Sequence, residues 1–280
     1  MNSWICSISK RQSHFLVLSA VIVTVGLISF PIRVLFADYY YTRAVNILDV
    51  RTTGYRDVKE ISNETLPDYI NAIMYLKKGA GIYPSNSRYH KALADIYMIL
   101  GKWAEGMEVM DTGLPSNAYS SSAAYEHAIK HIRTAITLEP TNADYHLMLG
   151  QLFILMDADT SLSERELRRA TSASPVNAPL RYAVANEYLL SDRKGDALEQ
   201  AGILAKIDTS YMADPRQKAF PLDSRPPADL SLVYNSYLFG ALEIAWRASG
   251  DPEVVKGIAP DNPDAKEVVQ LFLEWKGIDW

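Results

Sequence analysis

The chain has 280 residues, 48% of them hydrophobic and 22% charged, with a formal net charge of −5. That length serves one or two ordinary domains or one elongated repeat array. An acidic body argues against nucleic acid as a partner, since phosphate binding needs a concentrated basic face, and Cys6, the only cysteine, excludes an internal disulfide and a cysteine-based zinc site.

In chain order, Lys10, Arg11 and Arg33 precede the first acid, Asp38, which leaves 25 basic against 33 acidic residues in the remainder. Phe15 to Phe36 reads FLVLSAVIVTVGLISFPIRVLF, with Arg33 as its one charge. As a helix this run would extend about 33 Å, against a bilayer core of about 30 Å. Residues 15–36 are therefore expected to form a transmembrane helix, with 1–14 cytoplasmic by the positive-inside rule and Tyr39, Tyr40 and Tyr41 as an interfacial belt. A cleaved signal peptide ending near Asp38 is the alternative. Either way the bulk of the chain is expected on the exported, periplasmic side of a bacterial inner membrane. Residues 37–65 are expected to hold a membrane-proximal helix and a polar loop, DVRTTGYRDVKEISNET, which separates the partner helices of a first unit.

From residue 66 a pattern recurs. His146, Leu149-Gly150 and Phe153 are followed by Ser163, Leu167, Ala170 and Pro175. The same spacing returns as Arg181, Val184-Ala185 and Tyr188, then Ala197, Ala201 and Leu204. His90, Leu93-Ala94 and Tyr97 match the first half, while Ala72, Leu76, Gly79, Pro84 and Ala128, Ile132, Ala135, Pro140 match the second. Small residues let two helices approach, large ones fill the space between them, and proline marks the turn to the next unit.

These residues resemble the tetratricopeptide repeat (TPR) family, whose unit is a helix–turn–helix of about 34 residues. The resemblance covers 66–207 and implies an all-α solenoid of antiparallel helix pairs. The aromatic residue that opens the family's first helix is replaced by His90, His146 and Arg181. Residues 103–113 and 121–138 read as two separate helices, because the chain from Gly101 to Pro140 is too long for one unit. Residues 208–229, rich in proline and charge, are expected to be a linker or loop, and 230–280 a C-terminal helical cap with helix starts at Asp251-Pro252 and Asn262-Pro263.

No catalytic constellation stands out, so the chain is not expected to be an enzyme or to carry a cofactor. His127 and His131 share a helix face as metal ligands can, yet no third ligand lies nearby, and packing histidines are the expectation. The resemblance implies a concave groove lined by the first helices. It would carry Arg88, Lys91 and Asp95, then Leu147, Gln151 and Ile154, then Tyr182, Asn186 and Leu189. The clamp by which some family members hold a carboxylate tail is not reproduced, since Asp95 stands where asparagine is wanted. The expected partner is an extended or helical segment of another protein, and the expected role a docking scaffold in an envelope assembly. An accessory role in assembling or exporting a surface polysaccharide is the alternative.

Overall fold

The computed structural model describes residues 10–48, 65–109, 120–207 and 236–278, with side chains except at 10–18, 20–28, 48 and 107–109. Residues 1–9, the polar loop over 49–64, residues 110–119, the linker 208–229 and the first residues of the expected C-terminal cap, 230–235, lie outside them. Every element described is a helix: α1 (Lys10–Leu48), α2 (Leu66–Ile82), α3 (Ser87–Val109), α4 (Ser121–Leu138), α5 (Ala143–Leu155), α6 (Thr160–Ala173), α7 (Ala178–Leu190), α8 (Lys194–Ile207), α9 (Tyr237–Ser249), α10 (Pro252–Ile258) and α11 (Pro263–Trp275). They pair in succession, α1 with α2, α3 with α4, α5 with α6 and α7 with α8. The chain divides at Leu138 into two compact units, and each is described by itself.

The helix starts follow from local chemistry. Among the described residues Pro-x-Asn occurs at 84–86, 140–142, 175–177 and 260–262, before α3, α5, α7 and α11. In each case the asparagine side chain accepts a backbone N–H of the opening turn: from Arg88, Asp144, Leu180 and Ala265. Such a cap satisfies a donor that the helix itself leaves unpaired. The turns inside two pairs are equally regular. Asp157 and Asp192 take positive φ of 48° and 55°, and the next amides, Ala158 and Arg193, bond back to Phe153 and Tyr188 at 3.0 and 2.8 Å. Aspartate tolerates the left-handed region better than most side chains do, so the repeat is written in backbone geometry as well as in side-chain size.

In the first unit the apolar run of α1 has a different use from the one expected. Among the described residues no helix is long and apolar enough to cross a membrane. This corrects the transmembrane helix expected over 15–36, and with it the single-pass inner-membrane placement and the membrane as a partner. α1 does not stop near Phe36. It continues through Pro31 to Leu48, and its later part is one wall of the first helix pair. Phe30 meets the Tyr83 ring edge-on at 6.1 Å, and Ala37 and Ala44 are buried. Hydropathy alone does not distinguish a lipid partner from a helix partner, and here the far end of the run has a helix.

The α3–α4 region also departs from expectation. Residues 103–109 are not a separate helix but the end of α3, which runs unbroken through Gly101. A Cβ at Gly101 would stand 2.4 Å from the Tyr125 ring of α4, so this glycine permits a close helix contact and ends nothing. The contact is held by the Tyr125 hydroxyl, which donates to Glu105 at 2.9 Å.

In the second unit a shared core runs from Leu167 through Val184, Tyr188, Ala201 and Leu204 to Phe239, Leu242 and Phe272. α9 packs on both α7 and α8, so helix stacking continues past residue 207. Glu243 is buried in this core with Lys276 Nζ 2.9 Å away, a charge contact lacking hydrogen-bond alignment. Lys276 also lies 4.0 Å over the Trp275 ring, and Trp275 meets the Phe239 ring of α9 at 5.5 Å, which ties the end of α11 back to α9.

Candidate functional site

The three positions where the repeat lacks its aromatic residue prove to share one geometry. Each falls four residues after the capping asparagine, and each side chain bridges the preceding turn to the paired helix. His146 Nε2 lies 2.9 Å from the Pro140 carbonyl and its Nδ1 2.8 Å from Glu166 Oε2. Arg181 donates to the Pro175 carbonyl at 2.6 Å and to Gln200 at 2.6 Å. His90 bonds to the backbone of Pro84, and its Nδ1 lies 3.3 Å from Nδ1 of His131. An aromatic residue would fill this space by size alone, whereas these polar latches fix the first helix of each pair by direction. Burial lowers the Arg181 pKa, with Glu199 opposing. Burial pushes Glu166 up, but bonds from His146 and Arg165 and the charge of Arg169 carry it below its ordinary value.

His127 and His131 are packing groups. Both stack on the Tyr97 ring, with centroids at 5.0 and 5.8 Å, and Lys77 Nζ lies 5.6 Å from that ring. Burial lowers His131 to about 4, helped by the positive field of His90, Lys77, Lys130 and His127. A metal cation would enter a neighbourhood that is already basic. Among the described residues no cluster of three or more His, Cys, Asp or Glu is placed to hold a metal ion.

The structure sorts the expected groove residues by unit. Arg88, Lys91 and Asp95 lie on α3 in the first unit. Arg88 sits 4.7 Å over the Tyr41 ring. Lys91 Nζ binds both oxygens of Asp95, at 2.6 and 2.7 Å, so its charge is satisfied within its own helix. Burial raises the Asp95 carboxyl, against the opposing charge and hydrogen bonds of Lys91.

In the second unit the six remaining residues share the neighbouring helices α5 and α7. Leu147, Ile154, Tyr182 and Leu189 are half-buried, packed on the core with part of each side chain left to solvent. Between them run fixed polar contacts. Gln151 Nε2 donates to Glu187 Oε1 at 2.8 Å, joining α5 to α7. Asn186 donates to the Tyr182 carbonyl at 3.1 Å and accepts from Arg247 of α9 at 3.4 Å. Glu187 and Arg247 were not among the expected residues. Glu187 follows Asn186 directly and could have been found as a partner for a buried glutamine, whereas Arg247 lies beyond the region where the repeat is readable.

No family model and no curated protein matches the chain. Among solved structures, two crystal structures of MamA are similar at 16% identity. One is matched over 80% of this chain and 96% of its own with a TM-score of 0.40, the other over 85% and 92% with a TM-score of 0.41. YrrB, described as a TPR protein with an unusual peptide-binding site, is similar at 15% identity over 77% of this chain and 87% of its own, with a TM-score of 0.35.

Proposed function

We propose that the chain is a TPR-type interaction scaffold whose α5–α7–α9 face holds an extended or helical segment of another protein. One observation carries the reading: half-exposed Leu147, Ile154, Tyr182 and Leu189 are interleaved with Gln151 and Asn186, whose bonds to Glu187 and Arg247 are already made. A face ordered before binding loses little side-chain entropy on binding, and mixed aliphatic and amide groups suit a peptide's side chains and backbone together. Arg88, Lys91 and Asp95 give the first unit a polar surface of its own. Because Lys91 is held by Asp95, that surface is poorly suited to capturing a carboxylate tail.

The test is a titration of the full chain against a partner captured by crosslinking. Tyr182→Ala should weaken binding by about 1–3 kcal/mol, since tyrosine supplies a large amphipathic area at little entropic cost. Helical content should be unchanged. Arg168→Ala, at an exposed ion pair with Glu164 on α6, should leave affinity as it is. Full affinity in Tyr182→Ala with a loss in Arg168→Ala would move the site to the opposite face and end this reading.

A further inference from the structure

A second surface lies at the outer side of the first helix pair. Ile32, Leu35, Phe36 and Tyr39 of α1 are 47%, 69%, 59% and 53% exposed. Their spacing puts them on one face of the helix, in the pattern by which one amphipathic helix receives another. Lone exposed apolar residues are ordinary, but a contiguous stripe on one helix marks a surface that something covers.

The stripe ends in cations. Arg43, one turn after Tyr39, donates to the Tyr39 hydroxyl at 2.7 Å and lies 4.9 Å from the Tyr75 ring. Lys78 of α2 lies 5.9 Å from the same ring and from that of Tyr40, which stacks on Tyr75. Arg43 and Lys78 are exposed, and no described carboxylate pairs with either. The nearby acid, Asp38, accepts instead from Tyr89 of α3. Beside Arg43 a shallow recess of about 330 Å³ is lined by Tyr39, Thr42, Asn46 and Ile47.

We propose that this face docks an amphipathic helix of a partner protein, its apolar stripe on Ile32, Leu35, Phe36 and Tyr39 and its acidic end on Arg43 and Lys78. The choice of occupant rests on charge. A second copy joined through the same face would bring the same cations, while the described acid there, Asp38, already accepts from Tyr89. An acidic helix covers the stripe and neutralises both charges, and the chain's net charge of −5 leaves this cationic corner as a local exception that can select it. The surface uses no residue of the α5–α7–α9 face and does not depend on that reading.

The test uses the full chain and two synthetic amphipathic helices with identical leucine stripes, one closing in glutamates and the other in lysines. The glutamate peptide should bind about tenfold more tightly, as expected for two exposed charge pairs plus avoided repulsion. The double variant Arg43→Glu with Lys78→Glu should reverse that preference, a result that general loss of folding cannot mimic. Leu35→Asn with Phe36→Asn should weaken both peptides while circular dichroism stays unchanged. Equal binding of the two peptides, or a preference that survives the charge reversal, overturns the proposal. So does uptake by phosphatidylcholine vesicles, or self-association, that Leu35→Asn abolishes in a chain that binds neither peptide.

Discussion

The first helix latch and the second occupy the same place in the repeat and are built from opposite chemistry. In α3–α4, His90 meets His131, nitrogen to nitrogen, so one ring must donate and the other accept. In α5–α6, His146 meets Glu166 on one side and the Pro140 carbonyl on the other, both acceptors. A second proton on both rings breaks the first latch and sets two cations together, whereas imidazolium is the form that uses both contacts of the second. One position four residues past an asparagine thus joins ring to ring in one unit and ring to carboxylate in the other.

Removing the partner group should separate the two most strongly. Glu166→Leu removes the buried carboxylate that holds His146, Arg165 and Arg169 and should cost about 1.5–3 kcal/mol, as lost hydrogen bonds to a charged group do. His131→Leu removes one hydrogen bond between neutral groups, worth about 0.5–1.5 kcal/mol. Urea unfolding at pH 7 reads both values, and equal losses would show that the latches are equivalent.

Close helix approach gives a second contrast. At Gly101 an added Cβ meets the Tyr125 ring, which is buried and tethered to Glu105. At Gly150 it meets the Leu167 side chain at 2.9 Å and the Ser163 carbonyl at 3.3 Å, a looser approach than the one at Gly101. Gly101→Ala should therefore cost about 1–3 kcal/mol, as overpacking does. Gly150→Ala should fall below about 1 kcal/mol, because alanine regains helix propensity that glycine lacks. Melting curves of the two variants decide the order.

Acid gives the smallest contrast. His131 is lowered to about 4 in the fold from an ordinary 6.5, so between these values the unfolded chain binds more protons than the native one. Stability from this group is complete above about pH 6.5 and is lost as pH falls towards 4; partial exposure holds the loss below about 2 kcal/mol. His90 is lowered in the same direction. Glu166 is shifted below 4.5, so its contribution is kept until pH falls under that value. Hydrogen exchange at pH 7 and pH 5 should accelerate α3–α4 amides more than those of α5–α6. Uniform acceleration would show that the His90–His131 contact carries no special weight.

The helix pairs were legible because their causes are local. Gly150, Ala170 and Ala185 mark close contacts through size, and Pro140 and Pro175 mark turns through a missing N–H, without knowledge of the rest of the chain. The Pro-x-Asn starts were equally local and pass unnoticed only when proline is read alone. The latches were not legible. The departure of His90, His146 and Arg181 from the repeat was plain, but their partners stand 41, 20 and 19 residues away. The candidate face was half legible: Gln151 and Asn186 could be placed by spacing, while Glu187 and Arg247 depended on which helices become neighbours.

By itself the sequence determined an all-α chain of repeating helix pairs, with caps, turns and packing surfaces at a 35-residue interval between Pro140 and Pro175. Those features follow from interactions within a few residues, which the order of side chains specifies directly. Tertiary structure decided what each apolar surface meets. It put the end of the α1 run against α2, carried the core from α8 into α9, and chose His131, Glu166 and Gln200 to complete the latches. Hydrophobicity records that a surface leaves water, and only the folded neighbours supply what it leaves water for.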